Sequence, residues 1–326
     1  MDKSSRTALA TYGLGTIHSI RLLPPPRYNK YEVVADAGRY FVCKRGLDPV
    51  DRFAFFHELV LFLMERGFPT PRLIQNVEGQ TYHPLDGWAF ELWEWVDGVN
   101  CRDSPWNRQE LGVMGQMLAQ YHQTVESFVP TIPRAVPQLD HAIDQRLGKI
   151  AHRPVPASIL TGAERILSEY ASRFARLPKT VIHGDVWQAN FLRDGHRWWL
   201  VDYEWSQMAL RLEDVANGLR MIPSIDYQAV SIPDFQRLLS AYLAAGSLSD
   251  LELECLPAFM QTICLYELTG NLSGIDEQLP ERQWTEQADD MLRAANETAL
   301  LKWMMDHEQE LHAAVERARL KTANSE

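Results

Sequence analysis

Apolar and polar residues alternate in Lys30-Tyr31-Glu32-Val33-Val34 and again in Arg39-Tyr40-Phe41-Val42-Cys43-Lys44, with Asp36-Ala37-Gly38 between the two runs. A period of two on either side of a turn sequence predicts a β-hairpin whose second strand ends in a lysine. The period then lengthens. Between Phe53 and Arg66 the residues Phe55, Phe56, Leu59, Phe62 and Leu63 follow helical spacing, with Glu58 inside the helix and Gly67, Pro69 and Pro71 ending it. Tyr82-His83, the turn Asp86-Gly87 and the run from Trp88 to Val96 predict a second hairpin, which leads into Asp97-Gly98, a pair suited to a hinge.

Beyond that point helical spacing dominates: over 109–125, where Leu111, Met114, Leu118 and Tyr121 share a face, then over 163–174, 235–245, 253–268 and 298–321. Two short apolar runs, 180–182 and 198–201, predict strands. The pattern is that of an α+β protein, with a small antiparallel sheet lobe over 1–95 and a larger, mostly helical lobe over 96–326. A chain of 326 residues is long enough for two lobes with a cleft between them.

Composition narrows the chemistry. A formal net charge of -11 argues against nucleic acid as the main partner, since a duplex-binding surface needs an excess of Lys and Arg. The first residues lack the apolar core of a signal peptide and no later run is long enough to span a bilayer, which makes the cytoplasm the expected compartment. Cys43, Cys101, Cys255 and Cys264 are scattered without a CxxC pair, so they read as reduced thiols.

The segment Val181-Ile182-His183-Gly184-Asp185-Val186-Trp187-Gln188-Ala189-Asn190, followed after a turn by Val201-Asp202-Tyr203-Glu204, places carboxylates at the ends of two predicted strands. Asn190 and Asp202 are hard oxygen donors that suit a magnesium ion bridging nucleotide phosphates, while Asp185 remains available to accept a proton. These residues resemble the HGDxxxxN and DxE/D motifs of the aminoglycoside phosphotransferase and choline kinase superfamily.

That resemblance implies a bilobal protein-kinase-like fold and transfer of a phosphoryl group from ATP, with Mg2+, to a hydroxyl of a small molecule. Amino alcohols, homoserine, ketosamines and aminoglycosides are the acceptors it allows. Lys44 is similar to the lysine that holds the α- and β-phosphates, and Glu58 to the glutamate that orients it. The segment Glu94-Trp95-Val96-Asp97-Gly98 resembles the adenine-binding hinge, with the Glu94 carbonyl and the Val96 amide as its contacts. Asn29 resembles the end of the phosphate loop, although Pro24-Pro25-Pro26 departs from the family pattern. By the same carry-over, His183 and Glu204 support the catalytic segment and Asp214 supports the C-terminal lobe.

Other readings of these residues exist. A histidine beside an aspartate invites a hydrolase or a metal site, but the chain has neither GxSxG nor HExxH. A protein serine/threonine kinase of the bacterial stress-response type would share the fold, yet no APE-like segment lies between Asp202 and Asp214. A catalytically silent kinase-like binding protein is the remaining alternative. The degenerate phosphate loop points towards it, and the intact Lys44, Asp185, Asn190 and Asp202 point away.

Overall fold

The computed structural model describes residues 3–23, 29–47, 50–101, 108–132, 134, 139–150, 157–274 and 284–323. In chain order the elements begin with α1 (Lys3–Ala10), β1 (Ile17–Leu22), β2 (Lys30–Ala35), β3 (Gly38–Gly46), α2 (Val50–Glu65), β4 (Leu73–Ile74), β5 (His83–Leu85), β6 (Trp88–Glu94) and β7 (Val99–Asn100). They continue with α3 (Arg108–Val125), α4 (Leu139–Ile150), α5 (Ala157–Ser172), β8 (Lys179–Ile182), β9 (Phe191–Asp194), β10 (Arg197–Leu200) and β11 (Gln207–Leu210). The last are α6 (Arg211–Met221), β12 (Ser224–Ile225), β13 (Ala229–Val230), α7 (Ile232–Ala245), α8 (Asp250–Gly274), α9 (Trp284–Asp306) and α10 (Glu308–Ala323). Among the described residues, no helix is long and apolar enough to cross a membrane.

The chain divides into two units. The first takes in Met1–Ser104, Ser127–Arg134 and Ala189–Ser206. Its main sheet is antiparallel in the order β1-β2-β3-β6-β4, with β5 added beside β6. Both predicted hairpins are present. One face of the sheet presents Val33, Ala35, Val42 and Leu92 to Leu9, Tyr12 and Leu14, which form a buried cluster. A second sheet, β10-β9-β7, joins residues nearly a hundred positions apart in sequence. Gly98 makes that pairing possible: a Cβ there would lie 3.1 Å from the Leu192 Cβ, tighter than ordinary side-chain contact.

The second unit takes in Pro105–Glu126, Ala135–Gln188 and Gln207–Glu326. Its core is helical, built around α8 and its neighbours α4, α6 and α9, with α3 packed on α7. Leu111, Met114, Leu118 and Tyr121, the stripe predicted on α3, are all buried. The pair β8–β11 is antiparallel and carries the chain into the loop beginning at His183. Over 298–321 the spacing predicts one helix, whereas the structure has α9 and α10 meeting at His307. There the Trp303 carbonyl is shared between the His307 backbone N–H at 3.0 Å and the His307 Nδ1 at 2.9 Å, and the two rings stack.

Candidate functional site

In the second unit, β8 delivers His183, Gly184 and Asp185 to a loop fixed from below by Asp214. This aspartate lies on α6 and is almost fully buried. Its Oδ2 accepts the His183 N–H at 2.6 Å and its Oδ1 accepts the Gly184 N–H at 2.8 Å. His122, from α3, reaches the same Oδ2 through Nε2 at 3.1 Å, while its Nδ1 meets the Tyr242 hydroxyl at 2.8 Å. A buried carboxylate with three donors aimed at it is satisfied rather than reactive. His183 is fully buried, and its Nδ1 accepts the Asp185 N–H at 3.3 Å, which makes it a brace for the loop. Asn217 extends the support by donating to the Val186 carbonyl at 3.1 Å.

Asp185 also shares its electrostatic surroundings with Glu267 on α8. Burial, together with the negative charges of Glu297 and Asp185, pushes the Glu267 carboxyl above its usual range, against the pull of Arg220 and Arg146. Arg220 in turn is buried and holds both oxygens of Glu297, at 2.9 and 2.8 Å. Neither Glu267 nor Arg220 stands out in the sequence, because each lies in a helix whose apolar face is the stronger signal.

In the first unit, the hairpin register decides where the other two predicted donors fall. Phe191 pairs with Leu200, and the next rung is closed by the Val201 N–H donating to the Asn190 carbonyl at 3.0 Å. Asn190 and Asp202 therefore flank the same end of β9–β10. Asp202 is held in the left-handed region, φ 70°, a conformation costly for a residue with a Cβ and common at functional turns. Its Oδ2 lies 3.6 Å from Lys30 Nζ and its Oδ1 3.6 Å from Arg45 Nη2. Arg45 also pairs with Glu204 and, through Nε at 3.2 Å, with Glu91.

Lys44 sits on β3 opposite Phe90, and its ammonium lies 4.8 Å from the Trp88 ring and 5.6 Å from the Phe90 ring. Glu58 on α2 accepts the Thr131 backbone N–H at 2.9 Å and its hydroxyl at 2.6 Å. Asn29 has φ 56°, and its carbonyl accepts the Lys44 N–H at 2.9 Å. Residues 24–28 of the proline-rich loop lie outside the described residues. Glu94 donates its N–H to the Arg72 carbonyl at 2.8 Å, and its carboxylate takes the Arg72 side chain. Val96 packs beside Gly98, and Asp97 accepts from Arg39 and from the indole of Trp95.

The sequence reading passed over Arg45, Lys30, Glu91 and His57. Glu91 and His57 are buried and joined at 3.2 Å, with Thr81 beyond at 2.9 Å. Burial would raise the Glu91 pKa, yet the hydrogen bond from His57 and the charge of Arg45 hold it below the usual range. A signal was present: both residues interrupt otherwise apolar runs, Ala89-Phe90-Glu91-Leu92 and Phe55-Phe56-His57, and charges are seldom buried without partners.

Asn190 and Asp202 supply one amide and one carboxylate oxygen donor, both hard. Among the described residues no group of three or more His, Cys, Asp or Glu is arranged to hold a metal. That donor set fits an ion completing its shell with water and phosphate oxygens.

A fold of this kind with such a site defines a kinase-like phosphotransferase. Residues 19–252 match the family described as the phosphotransferase enzyme family, APH, and the chain belongs to that family as a kinase of small molecules. A homoserine kinase of Pseudomonas aeruginosa (strain LESB58) is 25% identical over 273 residues, covering 81% of this chain and 84% of the relative. Among solved structures, a microcompartment-associated aminopropanol kinase superposes with a TM-score of 0.68 at 16% identity, covering 94% of this chain and 98% of the other. Amicoumacin kinase hAmiN, in complex with AMP-PNP, Ca2+ and Ami, superposes with a TM-score of 0.64 at 16% identity, covering 89% and 91%.

Proposed function

We propose that the protein transfers the γ-phosphoryl group of ATP to the hydroxyl of a small, amino-bearing alcohol of the homoserine kind. The observation that carries this reading is the register of β9–β10, which brings Asn190 and Asp202 to one end of a hairpin five residues after Asp185. Asp185 would orient the acceptor hydroxyl and take its proton as the new O–P bond forms and the bond from the γ-phosphorus to the β–γ bridging oxygen breaks. ADP leaves, and the proton passes from Asp185 to solvent. Asn190 and Asp202 would hold a magnesium ion, whose charge would neutralise phosphate oxygens.

The choice of acceptor draws on the homoserine kinase relatives. The test is ADP release with homoserine, aminopropanol, choline and an aminoglycoside, using Asp185→Asn as control. Stimulation by an amino alcohol that drops about a thousandfold in the variant, with nucleotide binding retained, is the expected result. Turnover that survives in the variant refutes the role of Asp185, and stimulation only by the aminoglycoside refutes the acceptor.

A further inference from the structure

We infer that the phosphate-binding cation of β3 is Arg45, assisted by Lys30, and that it is aimed by the buried Glu91–His57–Thr81 relay. This rests on the nucleotide reading above and deepens it.

Register separates the two cations. Side chains alternate across a strand, so Lys44 and Arg45 must face opposite ways. Cys43 pairs with Lys30 on β2 and with Glu91 on β6, placing these three on one face, and Arg45 is two residues from Cys43 on that same face. It is the face that meets Asp202 and Glu204. Lys44 falls on the other face, in a row with Phe90.

Arg45 is also anchored. A phosphate-binding side chain must be held in place, and a guanidinium can be held along one edge while it presents the other. The Arg45 Nε is bound at 3.2 Å by Glu91, which is fully buried, hydrogen-bonded to His57 and contacted by the Trp93 indole at 3.3 Å. Glu58, on the helix that supplies His57, is engaged with Thr131. Glu91, Asp202 and Glu204 outnumber Arg45 and Lys30 by one, so the cluster favours a nucleotide that arrives with its divalent cation over free ATP. The 3.6 Å contact from Lys30 to Asp202 is longer than a hydrogen bond, so Lys30 can turn to phosphate at small cost, whereas Arg45, also paired with Glu204, would share that pairing with phosphate.

The experiment compares Arg45→Ala, Arg45→Lys, Lys44→Ala and Glu91→Gln with the unaltered protein. It measures binding of a fluorescent ATP analogue with and without magnesium, and KM for ATP and for the acceptor. Arg45→Ala is expected to weaken magnesium-nucleotide binding about tenfold more than Lys44→Ala does. If Arg45→Ala does not fold, Arg45→Lys carries the comparison, since it keeps the charge but cannot span Glu91 and phosphate together. Glu91→Gln should raise KM for ATP several-fold and leave KM for the acceptor in place, a split that general loosening would not produce. A larger loss at Lys44 than at Arg45 overturns the assignment. Equal shifts in both KM values for Glu91→Gln overturn the relay. Absence of nucleotide binding by the unaltered protein would instead refute the ATP reading itself, and this inference with it.

Discussion

The Oδ2 of Asp214 lies 2.6 Å from the backbone nitrogen of His183. Through this contact a residue on α6, thirty-one positions downstream, fixes the backbone from which Asp185 projects. The same carboxylate serves Gly184 and His122, so no neutral group of similar shape can replace it. An amide in its place would turn an NH2 towards at least one of the N–H donors. Asp214→Asn should therefore cost about 2–4 kcal/mol of stability and lower kcat more than it changes KM, because Asp185, the proposed proton acceptor, is displaced rather than removed. Denaturant unfolding alongside steady-state kinetics checks both halves. Unchanged kcat with lost stability would confine Asp214 to folding.

The neighbouring Glu213 gives a pH dependence. Its carboxyl, partly buried on α6, is pushed from 4.5 up to about 8 by burial, although the Leu210 N–H at 3.3 Å opposes the shift. A carboxyl whose pKa is raised on folding keeps its proton in the native state after the unfolded chain has lost it. Its contribution is complete below the unfolded value and disappears as pH rises through the folded one. Between about pH 4.5 and 8 this group should lower the unfolding free energy by up to about 1.4 kcal/mol per pH unit. Glu213→Gln should remove that slope and gain stability at the alkaline end. Parallel stability–pH curves for the two proteins would show that Glu213 titrates normally.

The two hairpins, the stripe on α3 and the segment carrying Asp185 and Asn190 were legible because strand alternation, helical spacing and turn chemistry are local. That Asn190 and Asp202, proposed here to hold magnesium, flank one hairpin was legible for the same reason. The β3 cation shows where local reading stops. Lys44 and Arg45 are chemically alike neighbours, and only pairing with β6 decides which of them shares a face with Asp202. The support from Asp214 through His122 depends on α3 and α6 meeting in space, which periodicity cannot report. The break at His307 was hidden because the apolar spacing continues through it.

Packing of α3 on α7 leads to a stability prediction. A Cβ at Gly115 would run into the Leu238 carbonyl and lie 3.1 Å from the Tyr242 nitrogen, both backbone atoms of α7. Backbone cannot swing aside as a side chain can, so Gly115→Ala should cost about 1–3 kcal/mol despite the higher helix propensity of alanine. Tyr242 also holds His122, so part of that loss should appear as lower turnover. A thermal melt of the variant decides the matter. A gain in stability would mean that the helices separate at little cost.

Gly98 offers a sharper test of how the hairpin carrying Asn190 and Asp202 is positioned. Its Cα hydrogen faces Leu192, two residues from Asn190, and a Cβ would lie 3.1 Å from the Leu192 Cβ and 3.3 Å from Val96 Cγ1. Alanine needs a shift of a few tenths of an ångström, whereas valine adds branches that must push β9 away from β7. Gly98→Ala should thus be mild, while Gly98→Val should cost about 1–3 kcal/mol. Because β9 begins beside Asn190, the valine should also raise the magnesium concentration needed for half-maximal turnover, by about threefold or more. Magnesium titration of activity in the two variants reads this directly. If valine lowers stability without moving the magnesium requirement, the β7–β9 pairing supports the fold and does not set the geometry of Asn190.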